Sequence, residues 1–189
     1  MSMGIEDAAF IVAGGPTPFA LALARLLVDE GARVLLVGPE LESLEPAVEA
    51  LGDAALPCVA DLRLRADAAR VGGVAAALIG GVDGVVLPPV TPPAGDLLDV
   101  SGPELRASVS ASLWGPLALL QGVVPMMEAG AVLFAMPLPA QSGAARLVRS
   151  LLDAFVDELT GTLGPAIRVH RVEPAPELAG DAARLLAPP

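Results

Sequence analysis

Six short apolar runs recur along the chain, each followed by a segment of helical character, and this alternation restricts the fold more than any other feature. Residues 8–13, 33–37, 55–59, 84–87, 131–135 and 167–172 read as strands. Residues 18–29, 41–51, 66–79, 101–128 and 142–163 read as helices, and 177–186 as a short last one. Strands apolar on both faces are those of a parallel sheet covered by helices on both sides. Right-handed crossovers then wind such a sheet doubly. The expectation is one Rossmann-like α/β domain over residues 1–189, with about six parallel strands in the order 3-2-1-4-5-6 and no repeat or linker.

Local signals agree with that order. Thr17 is a helix N-cap with Pro18 at the first helical position, and Gly31 follows the helix end. Ser101-Gly-Pro-Glu104 is a capping box for the long fourth helix, with a kink expected at Gly115-Pro116 or Pro125. Pro57 is expected to shorten the third strand, and Pro88-Pro89 end the fourth.

Composition excludes several function classes. Hydrophobic residues make up 54% of the chain, which excludes disorder, and aromatics only 3%, so the core must be Ala, Val and Leu. The net charge of −11 repels phosphate backbones, so no nucleic-acid partner is expected. Residues 107–127 carry no charge and are long enough to span a bilayer, yet hold three serines, Gln121, two glycines and two prolines. A buried or interface helix is the expectation there, and no membrane. A single Cys58 and a single His170 give neither a disulfide nor a metal cluster. Residues 1–7 lack the basic start of a signal peptide, and a reducing, cytoplasmic setting is expected. All eleven basic residues are Arg, and the chain contains no Lys, no Tyr and no Asn. No mechanism needing one of those side chains is open to it.

Several stretches resemble the short-chain dehydrogenase/reductase family. Residues 10–27 (FIVAGGPTPFALALARLL) stand where that family has its first strand, glycine turn and first helix. Residues 30–38 (EGARVLLVG), Ala60-Asp61-Leu62, 82–87 (VDGVVL), 113–117 (LWGPL) and 164–174 (GPAIRVHRVEP) are similar to later family segments, in the family's order. The likeness covers roughly residues 8 to 175.

Departures from the family pattern fall on its chemistry. Its TGxxxGxG turn lets a pyrophosphate approach the backbone at a helix N-terminus. Here only Gly14 stands at a motif glycine; Pro18 replaces the second and Ala20 the third. Pro18 has no N–H to donate. Gly14, Gly15, Thr17 and Asp61 remain as vestigial cofactor contacts. The second strand ends in Gly38-Pro39, with neither the acid that favours NAD nor the Arg that favours NADP, and Pro88-Pro89-Val90 replaces Asn-Ala-Gly. The expectation is therefore no cofactor, with NAD(P) binding weak or lost.

The resemblance implies a catalytic Asn, Ser, Tyr and Lys, which align with Ser112, Pro137, Ala145 and Arg149. Ala145 has no proton to give, and Arg149 stays charged. Only fifteen residues follow Pro174, and no counterpart of the family's C-terminal lid, helix and seventh strand is expected there. Around the former cleft the polar groups expected are Thr91, Gln141, Ser142, Arg146, Arg149 and Glu173, with Met136 beside them. Arg149, Glu173 and Gln141 are the candidates for residual chemistry. His170 reads as a sheet residue and Cys58 as a small core hydrophobe.

Three functions follow as expectations. The foremost is a non-catalytic subunit or scaffold, forming a homo-oligomer or pairing with an intact reductase. The family's four-helix interface would then use Leu113, Trp114, Leu117, Leu120, Val124 and Met127 on one helix, with Leu147, Leu151, Ala154, Phe155 and Leu159 on the next. The alternative is a redox-independent cyclase, isomerase or dehydratase taking a small apolar ligand in the old cleft. Residual NAD(P)-dependent reduction is the weaker third reading.

Overall fold

The computed structural model describes residues 3–89, 91–137 and 142–188. Six strands form one parallel sheet: β1 (Ala9–Ala13), β2 (Arg33–Gly38), β3 (Ala55–Val59), β4 (Gly84–Leu87), β5 (Gly130–Ala135) and β6 (Ile167–Val172). Their order is β3-β2-β1-β4-β5-β6, as the alternation predicts. The helices are α1 (Pro18–Asp29), α2 (Leu41–Leu51), α3 (Arg65–Ile79), α4 (Gly102–Val109), α5 (Gly115–Val123), α6 (Gly143–Leu163) and α7 (Ala179–Leu186).

Strand periodicity divides the core in two. Ala9, Ile11 and Ala13 of β1 face α3, α5 and α6, whereas Phe10 and Val12 face α1, α2 and α7. Every β1 residue is buried, which is why that run shows no polar alternation. Pro57 does not shorten β3. Ala60 N–H bonds the Gly38 carbonyl (2.8 Å), so even-numbered amides of this edge strand point to β2 and the nitrogen of Pro57 points outward. No ladder bond is lost there.

The caps form as read. Thr17 Oγ1 accepts from Ala20 N (3.2 Å), and Ser101 and Glu104 make the reciprocal capping box. Ser142 Oγ accepts from Ala145 N (3.2 Å) and starts α6. The long fourth helix is not uniform. Between α4 and α5, Ser110–Trp114 form a π turn in which Gly115 N–H bonds the Ser110 carbonyl five residues back. Pro116 has no N–H and would clash with the carbonyl four residues earlier, so the wider turn is the form the expected kink takes. A 3-10 turn, Val124–Met126, ends the segment short of Glu128. The last helix likewise begins later than expected, at Ala179, behind a 3-10 turn over Pro176–Leu178.

Gly102–Met126 is long and apolar enough by length and composition to cross a bilayer, with a hydropathy of 1.3. Its α5 part instead buries Ala118, Leu119, Leu120 and Val123, and it crosses α3 with backbone almost touching backbone. A Cβ on Gly122 would lie 2.5 Å from the Ala69 carbonyl oxygen, and one on Gly72 would strike the Gly122 carbonyl oxygen.

At the other edge, Arg168 of β6 donates to the carbonyls of Leu185 (3.0 Å) and Ala187 (2.6 Å) and so caps the end of α7. His170, two residues on, has a buried Nε2 with no hydrogen-bond partner among the described residues. Burial first, then the Arg168 charge, holds this imidazole below its ordinary 6.5. The unfolded chain takes up the proton more readily, so stability is full above 6.5 and is lost as pH falls towards the lowered folded value. Urea midpoints at about pH 7.5 and about pH 5.5 should differ, and His170→Leu should shrink that difference. An unchanged difference in the variant would place the effect elsewhere.

Candidate functional site

The strand C-termini open a cavity of about 440 Å³ at the point where the chain's winding direction reverses. The tips of β2 and β3 form its base end: Gly38 pairs with Val59, and Gly38, Pro39, Asp61, Leu62 and Arg63 all line it. Thr91, Ser108 and Ala111 close the opposite side. Asp61 and Arg63 are its only charged lining groups among the described residues.

Asp61 does not cap α3, whose N-cap is Leu64. Its carboxylate is taken up by Arg63: Oδ1 accepts from Arg63 N (2.9 Å) and Nε (2.9 Å), and Oδ2 from Nη2 (2.8 Å). That pairing holds the Asp61 carboxyl below its ordinary range. The loop is anchored from behind by Asp61 N–H, which donates to Asp67 Oδ2 of α3 (3.1 Å). Nothing in the sequence marks Arg63 beyond its place two residues after Asp61.

The glycine turn sits at the cavity's inner end and spends its donors within the protein. Gly14 N and Gly15 N both donate to the Val37 carbonyl (2.9 and 2.8 Å), and Thr17 N to the Gly15 carbonyl (2.9 Å). Thr17 Oγ1 holds Ala20 N, and Pro16 and Pro18 have no N–H. Within residues 14–20, all of them described, Phe19 alone keeps a free backbone donor. Gly14 has φ +102°, and Pro88 of the β4 end occupies the space its missing side chain leaves. Pro88, the first residue of the Pro88-Pro89-Val90 stretch, thus packs directly onto the turn.

The four positions aligned with the catalytic set do not line the cavity. Ser112 is 1% exposed inside the π turn, and its hydroxyl donates to the Ser108 carbonyl (2.7 Å). Pro137 and Ala145 are buried. Arg149 donates through Nη1 to the Pro137 carbonyl, and its Nε lies 3.9 Å from Asp153 Oδ2. Glu173 is exposed beyond the end of β6, and Gln141 lies outside the described residues. The loop after β4 crosses the start of α6: Ser142 Oγ donates to the Pro93 carbonyl (3.4 Å), and a Cβ on Gly143 would lie 3.1 Å from Leu97 N. Met136 is buried, while Thr91 and Arg146 are exposed. Burial raises the pKa of Cys58, which suits a core thiol and not a nucleophile. A second cavity, about 570 Å³, lies at the opposite sheet edge between Ile5, Phe10, Asp83, Arg168 and Leu186, away from the strand C-termini.

The stripes expected to make the interface divide by depth. Leu120, Met127 and Leu159 turn into the core, and Phe155 meets Phe134 edge to face (5.9 Å). Trp114 is 63% exposed, with Leu113, Leu117, Leu147 and Leu151 half-buried and Ala154 exposed.

Comparison with known proteins gives one family and one fold. The sequence profile described as Enoyl-(Acyl carrier protein) reductase matches residues 17–185. No curated protein matches the chain significantly. Among solved structures it is similar to a citronellol catabolism dehydrogenase of Pseudomonas aeruginosa (TM-score 0.85, 20% identity, 100% of this chain and 90% of that one). It is also similar to a glucose/ribitol dehydrogenase of Brucella melitensis (0.84, 20%, 92% and 76%). A short-chain type dehydrogenase/reductase of Mycobacterium ulcerans is a third (0.79, 23%, 89% and 67%).

The profile match overturns the expectation of no cofactor, because the family is one of NAD(P)-dependent oxidoreductases. That expectation rested on single positions in three loops, Pro18 in the glycine turn, Gly38-Pro39 after β2 and Pro88-Pro89 after β4, whereas a cavity is set by how whole strand ends come together. The 440 Å³ cavity is built from the strand ends, and Pro18 is not among the residues that line it. The match over residues 17–185, carried on a six-stranded parallel sheet in the order 3-2-1-4-5-6, makes the chain a member of the short-chain dehydrogenase/reductase family.

Proposed function

We propose that this chain is a soluble, cytoplasmic, nucleotide-binding subunit of the family that does not itself reduce carbonyls, and that assembles with a second copy or with an intact reductase. The observation carrying the reading is a contrast between the cavity and the positions aligned with the catalytic set. The nucleotide end is an open cavity, whereas the catalytic positions hold Pro137 and Ala145, and the chain has no Tyr or Lys to stand in.

Gly38, Asp61, Leu62 and Arg63 would hold the adenosine, with Ser108 and Ala111 opposite. A nicotinamide nucleotide supplies hydride when bound. The protein's own part in reduction is to deliver a proton to the carbonyl oxygen, and neither Pro137 nor Ala145 carries a titratable proton. Ser112 gives its hydroxyl proton to Ser108, and Arg149 is held by Pro137 and Asp153. Loss of the acid alone removes about 10²–10⁴ in rate. Assembly is supported by exposed Trp114 beside half-buried Leu113, Leu117, Leu147 and Leu151, an apolar surface of the kind that marks an interface.

Three measurements test this. Calorimetry should find binding of adenosine 5′-diphosphate, while NADH and NADPH oxidation against a panel of aldehydes and ketones stays at the blank. Turnover well above blank by the purified chain would overturn the non-catalytic part. Light scattering at micromolar protein should report a dimer or larger; a stable monomer that also fails to associate with an intact reductase would remove the assembly.

A further inference from the structure

The tip of β2 is silent towards a ribose. Gly38 and Pro39 offer neither a carboxylate to accept from the 2′-hydroxyl nor a negative charge to repel a phosphate there. The neighbouring tip of β3 is not silent. Ala60 N–H bonds the Gly38 carbonyl (2.8 Å), so the residues that follow Ala60 stand beside the β2 tip, and these include the only charged pair lining the cavity among the described residues.

That pair is polarised. The Asp61 side chain is 23% exposed and the Arg63 side chain 72%, so the carboxylate lies inside and the guanidinium outside. Nε and Nη2 of Arg63 are fixed on Asp61 (2.9 and 2.8 Å), while its Nη1 donors reach no acceptor among the described residues. A guanidinium pinned on one edge has less entropy to lose when its other edge binds an oxyanion, and its planar fork suits phosphate.

Resting on the nucleotide-binding reading above, we propose that Arg63 selects a 2′-phosphorylated adenosine nucleotide, supplying from the β3 loop the cation that the β2 tip lacks. Asp61 acts as its positioning residue.

The test compares adenosine 2′,5′-bisphosphate with adenosine 5′-diphosphate, two ligands with two phosphates each, by calorimetry at low salt. The 2′,5′ compound should bind about tenfold tighter or better, the worth of one charge-assisted phosphate contact. Arg63→Ala should bring the two to parity chiefly by weakening the 2′,5′ compound, and Arg63→Lys should keep part of the preference. Equal affinities in the unaltered protein, or a preference that survives Arg63→Ala, would overturn the assignment of Arg63 and leave nucleotide binding standing. Failure of both compounds to bind would overturn the nucleotide-binding reading and this inference with it.

Discussion

Gly72→Val should destabilise the protein by about 3 kcal/mol or more, while Ala at the very next position, Gly73, should stabilise it by about 0.5–1 kcal/mol. Both glycines lie in α3, and helix propensity alone predicts a gain for Ala at each. Packing reverses the sign at one of them. A Cβ on Gly72 would strike the Gly122 carbonyl oxygen of α5, a backbone atom that moves only if the whole helix moves. A Cβ on Gly73 meets nothing within 4 Å. Spreading the crossing would also loosen Leu119 and Val123, both fully buried between α5 and the sheet. At about 2–4 °C per kcal/mol for a chain of this length, Gly72→Val should lower the melting temperature by roughly 6–12 °C. Thermal scans of both variants beside the parent provide the check. A Gly72→Val protein as stable as the parent would mean that the two helices do not meet this closely.

Gly14→Ala should cost about as much, for two reasons that can be separated. Its φ of +102° suits glycine and costs another L-residue about 1–2 kcal/mol, and the new methyl would run into Pro88 at a further cost of about 1–3 kcal/mol. Gly15 isolates the first part, because its φ is +76° and a Cβ there meets open space. Gly15→Ala should therefore cost only about 1–2 kcal/mol. Pro88→Gly isolates the second. Combined with Gly14→Ala it should recover at least about 1 kcal/mol relative to the sum of the single changes. Urea denaturation of the four proteins closes the cycle, and strict additivity would show that Pro88 does not rest on the turn.

The architecture was legible because it is written in local pattern. Thr17, Ser101 and Ser142 each mark a helix start through a side chain that accepts from an amide three residues on, a signal contained in four consecutive residues. The limits of α1, α2, β3, β4 and β6 could be read for the same reason. The π turn at Ser110–Trp114 was not, because Pro116 announces a disturbance without fixing whether the chain kinks or widens. The Gly72–Gly122 crossing joins residues fifty positions apart, and no local pattern carries it.

The site divides along the same line. Missing side chains were plain in the sequence, since an absent Tyr or Lys needs no geometry to detect. The cavity at the β2 and β3 tips was not, because it depends on the register that sets Gly38 against Val59 and brings Arg63 beside Pro39. Substitutions at Pro18, Gly38-Pro39 and Pro88-Pro89 are visible one by one in the sequence, whereas the space left between the strand ends is not.

The outward-facing nitrogen of Pro57 has a consequence for how these molecules meet one another. A sheet with two open margins is a template that can be extended from either side, and extension is how soluble proteins become fibrils. At the β3 margin an incoming strand finds a ring where it needs a donor, and its ladder is broken midway. Uncontrolled growth is thereby blocked on that side, and β6 remains the one flank on which another polypeptide can be stitched to this sheet without a gap.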